Sequence, residues 1–475
     1  MADVTVHAHG SEAAFAGPEL KTQRRAWYTY AWASHSFETI VVSVFLSQYL
    51  PAVAGNAVGT NGRVHLLGIP IAPNALFADI VSFSALVLIV LMPIVGALAD
   101  RFGRKKEMLL TFGFLGAASC AAMWFIGPTD WPLGVGLLIA AYVTYTCGKV
   151  VYNSMLPALS GAQERDRISS LGWASGYIGS GILLAGNFGM SFFISDTGTL
   201  ARASLGLAGL WWAAFALIPV VTMRNAPRPA DADVDAGPAG SVFGAGFRQL
   251  ARTFGHMRAF PMTLLFLVAY LIYYDGITTV TLLAAQFGNE ELHLSQTTLL
   301  TAILIVQFAA FAGALLLGRL AYRWGAKRVV AWSLVVWCLV VTGAYFMQAR
   351  MPLQFYVLAI VLSLVLGGSQ ALSRSLFSNM IPVGMEAEYF SLFEVSGSGS
   401  SIFGTLLFGV TVQLTGNFRA AILSLIVLFI VGLGLLLLVN VPKAVAVAGN
   451  TLPASLGGRP AQPATAGSAG SAGSA

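Results

Sequence analysis

The sequence predicts an all-α membrane protein in which twelve transmembrane helices form two pseudo-symmetric six-helix bundles. Three observations support this fold class. The chain of 475 residues is 57% hydrophobic and only 10% charged, its apolar stretches have the length of membrane spans, and its two halves repeat one another. A water-soluble protein carries about 25% charged residues, so this chain has too few polar side chains to cover a folded surface in water.

Twelve apolar stretches, bounded by charged or turn residues, are each long enough to cross a bilayer. A membrane-spanning helix needs about 20 predominantly apolar residues. Six stretches precede a polar segment near the middle of the chain and six follow it. They lie at residues 26–52, 73–99, 106–127, 131–157, 167–194, 203–223, 259–287, 296–318, 328–347, 352–381, 388–415 and 418–440.

The polar segment and the chain ends complete the domain organisation. The middle segment begins with several prolines and aspartates, which is typical of a flexible linker. Further on, Phe247, Leu250 and Phe254 recur at helical spacing among arginines, which indicates an amphipathic helix on the inner leaflet or a packing helix. The C-terminal residues are rich in Gly, Ala, Ser and Pro, which predicts disorder. The predicted units are a cytoplasmic N-terminal tail (1–25), a six-helix bundle (26–223), a cytoplasmic linker (224–258), a second bundle (259–440) and a disordered cytoplasmic tail (441–475).

Basic residues fall mainly in alternate loops. With both termini inside, 20 of the 26 Lys and Arg residues lie in cytoplasmic segments, four lie outside and two lie within spans. Cytoplasmic loops carry an excess of Lys and Arg, so we expect a multi-pass protein of the cell membrane with both termini in the cytoplasm. The net charge of +6 is divided among these loops and not gathered on one soluble face, which argues against nucleic acid as a partner.

An internal repeat relates the two halves. A shift of 225 residues superposes the fourth and fifth spans on the tenth and eleventh without a gap, and a shift of 222 superposes the loops after the second span of each half. Parallel six-helix repeats imply a pseudo-twofold axis along the membrane normal, with a cavity between the halves that opens to either side in turn. The matched pairs include Lys149 with Arg374, Pro157 with Pro382, Gly172 with Gly397, Gly96 with Gly318, and Arg101 with Arg323.

The loop after the second span, from Gly96 to Lys106, combines a glycine for close helix approach, an acid at a helix end and a cluster of cations. Asp100 can contact an arginine or a neighbouring helix N-terminus across the seam between the halves and so act as a gate latch. The alternative is that the basic residues of this loop only fix it on the cytoplasmic side of the membrane. The copy in the second half has Tyr322 in place of the acid. Candidate gating residues are Gly96, Asp100, Arg101, Arg104, Gly318, Arg323 and Glu394. For Glu394, the alternative is a packing role.

Besides this loop, four segments are distinctive. They are Tyr30 to Phe37, Tyr152-Asn153 with Leu156-Pro157 and Leu171 to Trp173, Tyr274 to Gly276, and Gly367 to Ser375. With the loop, they make the chain resemble the major facilitator superfamily, and within it the branch of the autophagy-related vacuolar amino-acid effluxers, over most of residues 26 to 440. The resemblance implies the major facilitator fold and secondary transport, with amino-acid export as the best-known activity. Ala31 and Ser34 stand where relatives usually have Asp and Asn, so no role is carried over to that pair.

Five charged residues lie inside predicted spans, where a charge at the bilayer centre costs at least about 2.5–3.5 kcal/mol. Such residues therefore usually face a protein-lined or water-filled interior. Four of them belong to the first and fourth helices of each half, which line the central cavity in the superfamily. The five are Glu38, Lys149, Asp275, Arg374 and Glu394.

We assign these charges to two roles. Intramembrane carboxyls are typical of proton pathways, so Glu38 and Asp275 are the predicted proton-coupling residues. Lys149 and Arg374 can each hold a carboxylate or phosphate, which favours an anionic or zwitterionic cargo. The alternative is that these four charges only neutralise one another as ion pairs, or that Lys149 extends towards the inner surface. The predicted substrate-binding residues are Lys149, Arg374, Tyr145, Asn153, Tyr274 and Gln370.

The sequence thus predicts a secondary active transporter that exports amino acids or related organic ions by alternating access with proton coupling. It shows neither the phosphate-binding loop of an ATP-driven pump nor the clustered histidines of a metal site or membrane enzyme. We therefore expect no enzymatic activity, no catalytic residue, no metal and no cofactor, and a monomer whose partners are a small solute, protons and the lipid bilayer. The alternatives are a drug/proton antiporter and a non-transporting receptor or scaffold on a transporter fold.

Overall fold

The computed structural model describes residues 13–59, 62–66, 68–227, 255, 258–398 and 402–453. Within these ranges, ten helical stretches are long and apolar enough to cross a membrane, which confirms an all-α membrane fold. Two predicted spans are not among the ten. The span 167–194 coincides with a helix rich in glycine and serine, and the span 388–415 is described as two shorter helices. The number twelve therefore stays a prediction.

The helices begin and end close to the predicted span limits. In the first half they are α1 (Gly17–Ser36), α2 (Leu46–Val58), α3 (Leu76–Phe102), α4 (Lys105–Ala122), α5 (Trp131–Ser154), α6 (Leu156–Leu159), α7 (Arg165–Met190) and α8 (Thr197–Thr222). In the second half they are α9 (Pro261–Gln286), α10 (Gln296–Trp324), α11 (Ala326–Tyr345), α12 (Pro352–Asn379), α13 (Glu386–Ser398), α14 (Ile402–Thr415), α15 (Phe418–Ser424), α16 (Ile426–Leu438) and α17 (Val441–Val447). One antiparallel hairpin, β1 (Val64–Leu66) with β2 (Ile69–Ile71), lies in the loop after α2.

Both predicted tails are shorter than expected. The first tail was predicted to reach residue 25, but α1 already starts at Gly17, with Pro18 in its first turn. Proline suits this position because the first turn needs no backbone N–H donor. The second tail was predicted to be disordered from residue 441, but α17 begins there, and Asn440 caps it by accepting a hydrogen bond from the backbone N–H of Lys443 at 3.0 Å.

Other parts of the predicted domain organisation lie outside the described residues. These are the amphipathic segment that contains Phe247, Leu250 and Phe254, most of the linker, and the chain beyond residue 453. The domain limits in these regions stay predictions.

The first span contains a π-helical segment, Phe37–Phe45, between α1 and α2. A π-helix is rare, and single turns of it often occur at functional sites. Glu38 is its second residue, and the Ser43 hydroxyl donates a hydrogen bond of 2.7 Å to the backbone carbonyl of Glu38, five positions earlier. No pattern in the sequence predicts this segment.

Each half has its own buried apolar residues. In the second half, one cluster extends from Phe266 to Val445. In the first half, the buried residues form two clusters, of which one also includes Ala387 of α13. The division into two packed units agrees with the internal repeat.

The repeat also appears in the backbone. Gly103 ends α3 with a φ of 63°, and Gly325 ends the equivalent helix α10 with a φ of 83°. Residues with a side chain rarely adopt positive φ, so both loops require glycine to turn directly into the next helix.

Glycines let α10 and α12 touch at the backbone. A Cβ atom at Gly313 would lie 2.2 Å from the carbonyl oxygen of Leu364, and one at Gly367 would lie 2.5 Å from that of Ala310. In a bilayer, helices associate mainly through such close packing, because lipid is as apolar as their side chains. The crossing of these two helices therefore depends on both glycines.

We expect Gly313→Leu to destabilise the second half by at least about 1–3 kcal/mol, since the neighbouring atoms belong to the backbone and cannot move aside. Thermal unfolding of the purified protein in detergent measures this loss. Gly434→Leu is the matched control, because a Cβ atom at Gly434 meets nothing within 4 Å. Equal stability of the two variants would contradict the packing argument.

The two halves meet along two seams. Helix α3 packs against α13 along the first seam, and α7 packs against α10 and α12 along the second. We call the side of the bundle that carries the loops at 103–104, 160–164, 325 and 380–385 the inner side; the charge distribution predicts that it is cytoplasmic.

Candidate functional site

A cavity with about 430 Å³ of empty space lies where α1, α5 and α7 face α12. Four of the predicted substrate-binding residues line it, together with aromatic side chains of the first half. The lining includes Tyr30, His35, Tyr145, Lys149, Asn153 and Arg374.

Lys149 of α5 lies between two carboxylates that belong to different halves. Its Nζ is 3.3 Å from Oε1 of Glu38 in the first half and 3.5 Å from Oε2 of Glu394 in the second. The Lys149 side chain is 18% exposed, and its Nζ lies 5.8 Å from the ring centre of Trp173. In this conformation the Lys149 ammonium is shared by two carboxylates. This contact is therefore an ion pair within the protein, as the alternative to cargo binding expects.

Arg374 of α12 is a buried cation whose hydrogen bonds go to neutral groups of the first half. Nε donates to the Ser169 hydroxyl at 2.9 Å, and Nη2 donates to the Ser169 carbonyl at 2.7 Å. Nη1 donates to Oδ1 of Asn153 at 2.9 Å. The guanidinium is thus held by the opposite half of the molecule through groups that a ligand carboxylate can replace.

Three aromatic rings surround the Arg374 guanidinium. Its Cζ lies 5.0 Å from the ring centre of Trp27, 5.6 Å from Tyr152 and 5.6 Å from Trp173. Trp27 and Tyr152 stack on each other at 4.3 Å. Aromatic faces attract a guanidinium and exclude water from it.

Asn153 connects the two charged centres. While Oδ1 accepts from Arg374, its Nδ2 donates to Oε1 of Glu394 at 2.6 Å. Glu394 is 5% exposed, and both of its carboxylate oxygens face α5 across the seam between the halves. The residues Glu38, Lys149, Glu394, Asn153 and Arg374 therefore form one connected set, which we call the cavity network.

His35 extends the cavity network towards α10. Its Nε2 lies 3.5 Å from Oε2 of Glu38, and its Nδ1 lies 3.4 Å from the hydroxyl of Ser180. The Ser180 hydroxyl is also 3.2 Å from Oε1 of Gln307 on α10. His35 is a hydrogen-bonded wall residue of the cavity in this conformation.

Asp275 lies apart from the cavity network, although we expected it to share a cavity with Glu38 and Arg374. It is fully buried and caps α14: its carboxylate accepts hydrogen bonds from the backbone N–H groups of Phe403 and Gly404 at 3.0 and 3.1 Å. Asp275 is not among the residues that line the described cavity, and the start of α14 provides it with backbone donors that a sequence pattern does not reveal. Its role in proton coupling stays a prediction.

Of the other predicted binding residues, Tyr145 lines the cavity, whereas Gln370 and Tyr274 are not among its lining residues. Tyr145 packs against Phe37 with ring centres 4.9 Å apart. Gln370 accepts a hydrogen bond of 2.8 Å from the Tyr177 hydroxyl across the second seam. Tyr274 is half-buried and stacks on a neighbouring tyrosine of α9.

The first seam joins α3 and α13 on the inner side at residues of the predicted latch. A Cβ atom at Gly96 would lie 2.4 Å from the carbonyl oxygen of Ala387, so α3 and α13 touch at the backbone. Asp100 accepts a hydrogen bond of 2.9 Å from the backbone N–H of Glu388, near the N-terminus of α13. This is the helix-end contact that the sequence predicts for Asp100; its role in gating stays a prediction.

Lys105 completes this latch. Its Nζ lies 2.8 Å from Oδ1 of Asp100 and 3.2 Å from Oε2 of Glu386, so it does not simply face lipid headgroups as we expected for the basic cluster. Glu386 precedes the predicted span 388–415. Burial raises the pKa of its carboxyl, but the neighbouring Lys105 ammonium and the N–H of Gly384 outweigh this, and the net pKa is lower than usual. Glu386 therefore stays ionised at neutral pH.

The second seam joins the halves on the inner side without an acid in the repeated loop. A Cβ atom at Gly318 would lie 2.5 Å from the hydroxyl of Ser170, so α10 and α7 also touch closely. The buried Arg165 donates from Nη1 to Oδ1 of Asn379 at 2.9 Å, and the Ser375 hydroxyl donates to Asp166. The residues at the start of α7 thus take the place of the missing latch.

Three other predicted gating residues lie at the inner surface. Arg104 and Arg323 are exposed on the inner side, as is Arg101. Glu394 lies in the cavity network and not in either inner latch.

Sequence reasoning missed several residues of the site. Ser169 and Trp27 hold Arg374, Glu386 joins the first latch, and Arg165 and Asp166 hold the second seam. Their partners are more than 200 positions away in most cases, and no local pattern indicates such pairs. The only available signal was the pair of adjacent, oppositely charged residues Arg165 and Asp166 directly before the predicted span 167–194.

Comparison with known proteins gives a consistent result. A family model described as "Vacuole effluxer Atg22 like" matches residues 19–449. The chain is 29% identical over 428 residues to an uncharacterized MFS-type transporter, YxiO of Bacillus subtilis, with 87% of this chain and 94% of that protein covered. It is 27% identical over 489 residues to autophagy-related protein 22 of Saccharomyces cerevisiae, with 88% and 92% covered.

Solved structures of similar fold are more distant in sequence. The proton:xylose symporter XylE superposes with a TM-score of 0.68 at 14% identity, covering 91% of this chain and 97% of that one. The E. coli transporter FucP in the outward conformation superposes with a TM-score of 0.63 at 16% identity, covering 88% and 97%. At this identity the likeness concerns the fold, which is that of the major facilitator superfamily.

Proposed function

Because the chain belongs to the vacuole effluxer Atg22-like family of major facilitator transporters, we propose that it exports amino acids or related organic ions in exchange for, or driven by, protons. The cavity network carries this proposal. It joins two cations that line the cavity to two carboxylates, with groups from both halves. A carrier that opens to each side in turn holds its cargo between its halves.

The charges of the network suit a zwitterionic or anionic cargo. Lys149 and Arg374 offer donors for a carboxylate, and Glu38 and Glu394 offer acceptors for an ammonium group. In the present conformation these groups satisfy one another, so a bound cargo replaces contacts within the protein and does not leave buried charges unpaired. Cargo release then restores the same contacts.

Proton coupling is proposed first for Glu38, whose side chain is 34% exposed and pairs with the cavity residue Lys149. We keep Asp275 as a separate proton-coupling candidate, because it lies at the cap of α14 and not in the cavity network. The proposal further includes a monomer in the cell membrane with both termini in the cytoplasm.

The test is transport by the full chain in liposomes with an imposed pH gradient. With wild-type protein we expect accumulation of radiolabelled leucine or glutamate, up to about tenfold per pH unit for one coupled proton. Glu38→Gln is expected to abolish this accumulation while exchange of internal for external label persists, because exchange needs no net proton movement.

Glu290→Gln is the matched control, since Glu290 is an exposed glutamate outside the cavity. Normal accumulation in Glu38→Gln would contradict its proton role. Asp275→Asn is measured in parallel: normal accumulation there would leave Asp275 a structural cap only. Absence of amino-acid movement in the wild type, at any gradient, would overturn the proposed cargo class.

A further inference from the structure

We propose that Asn153 is a relay that transmits the protonation state of Glu394 to Arg374, so that a proton and an anionic cargo group bind cooperatively. The inference rests on the proposed function and deepens it, because it assigns the coupling between proton and cargo to one amide. Glu394 and Arg374 both belong to the second half, and Asn153 on α5 of the first half lies between them.

The geometry fixes the orientation of the amide. Nδ2 donates to the Glu394 carboxylate at 2.6 Å, and Oδ1 accepts from the Arg374 guanidinium at 2.9 Å. An ionised carboxylate can only accept hydrogen bonds and a guanidinium can only donate them. With Glu394 ionised, this is therefore the orientation of the Asn153 amide that satisfies both neighbours.

Protonation changes Glu394 from a hydrogen-bond acceptor only into a group that can also donate. A carboxylic acid carries an O–H donor, which favours the amide oxygen as its partner. If the Asn153 amide turns to accept from Glu394, its NH2 group faces Arg374, where two donors oppose each other. The Arg374 guanidinium then loses one of its acceptors and becomes available to an anion.

The same proton weakens the contact between Glu394 and Lys149, whose atoms are 3.5 Å apart. One protonation event thus weakens the contacts of both cations of the cavity, while Lys149 keeps its ion pair with Glu38 and Arg374 keeps its hydrogen bonds to Ser169. Coupling of this kind is reciprocal, so an anion bound at Arg374 must favour the protonated form of Glu394 by the same factor.

Other titratable and charged groups face Glu394 and contribute to any pH dependence. They are Glu38 of the π-helical segment, Lys149, Tyr142 and Tyr145 of α5, Arg374 of α12, and Tyr270 and Tyr274 of α9. Of these, only Glu38 is a second carboxyl, so Glu38→Gln separates its contribution from that of Glu394.

Two measurements on the purified full chain test the relay. Infrared difference spectra record the carboxylic-acid band of Glu394 as the pH falls. Tryptophan fluorescence records the movement of Arg374, since its Cζ lies 5.6 Å from the ring centre of Trp173, and Trp173→Phe identifies that part of the signal.

In the wild type we expect both signals to change with one midpoint. Glu394→Gln should lose the infrared band and the fluorescence transition together. Asn153→Leu should keep the infrared band but lose the fluorescence transition, because leucine has a similar shape without the amide; Asn153→Ala is the second variant. Glu38→Gln should keep both signals with a shifted midpoint.

Acetate serves as the anionic probe and should move the wild-type midpoint to higher pH, but not that of Asn153→Leu. A fluorescence transition that persists in both Asn153 variants, a band that persists in Glu394→Gln, or a wild-type midpoint indifferent to acetate would each overturn the relay. These readouts need no transport. Loss of transport with an intact relay therefore counts against the proposed function alone, and transport without the relay counts against this inference alone.

Discussion

Replacing Arg374 by alanine should raise the half-saturation concentration for acidic or zwitterionic cargo by about 10- to 100-fold, since a hydrogen bond to a charged group contributes about 1.5–3 kcal/mol. Arg374 is 3% exposed and is the cation whose present partners are neutral groups of the opposite half. A cargo without a carboxylate should lose much less. Initial uptake rates of radiolabelled glutamate, leucine and an uncharged amine in liposomes measure this difference.

Two controls accompany this variant. Arg374→Lys keeps the charge but cannot reproduce the planar set of donors, so we expect intermediate affinity. Arg202→Ala is the matched control. It removes an arginine on the opposite side of the bundle, and the one hydrogen bond described for that arginine goes to the hydroxyl of Thr199. If Arg374→Ala affects all cargo types equally, Arg374 has a structural role in joining the halves and no direct contact with the cargo.

Replacing Gly96 by leucine should abolish net transport by holding the inner side open. The Cβ atom would lie 2.4 Å from the carbonyl oxygen of Ala387 and 3.0 Å from Cα of Glu388. Both are backbone atoms, so α3 and α13 must separate, and separation breaks the hydrogen bond between Asp100 and the N-terminus of α13. The carrier then cannot complete the conformation in which the inner side is closed.

Thiol labelling provides the direct readout. In a background without the native cysteines, Ala387→Cys should be protected from a membrane-impermeant maleimide, because Ala387 is fully buried at the seam. It should become reactive from the inner side once Gly96→Leu is added. Gly136→Leu is the matched control, since nothing lies within 4 Å of a Cβ atom there. A protected cysteine with normal transport in Gly96→Leu would show that the seam does not gate the cavity.

The cavity network and the latch of the first seam join the two halves through different kinds of contact. The latch around Asp100, Lys105 and Glu386 joins the halves through surface-near charges, whereas Glu394 joins them at the cavity through a carboxylate that cargo or protons can displace. We therefore predict that the latch contacts determine whether the inner side is closed, and that the cavity network responds to the cargo or protons in the cavity.

Amino-acid composition and hydrophobic periodicity were sufficient to predict the membrane helices, because these depend on local hydrophobicity. Comparison of the two halves of the sequence revealed the repeat, and the family was suggested only by the resemblance of short motifs. The cost of burying charge was sufficient to single out Glu38, Lys149, Arg374 and Glu394. The contact of Asp100 with a helix end also followed from the loop sequence.

Only the tertiary structure decided which charges meet. Asp275 satisfied the same burial argument as Arg374, yet it caps α14 while Arg374 reaches Asn153 and Ser169 in the other half. Likewise, the start of α7 replaced the missing acid of the second latch. The cost of burying a charged side chain depends on its depth in the membrane, which the sequence of one span indicates. The partners of that side chain depend on how helices from distant parts of the chain are rotated and cross one another.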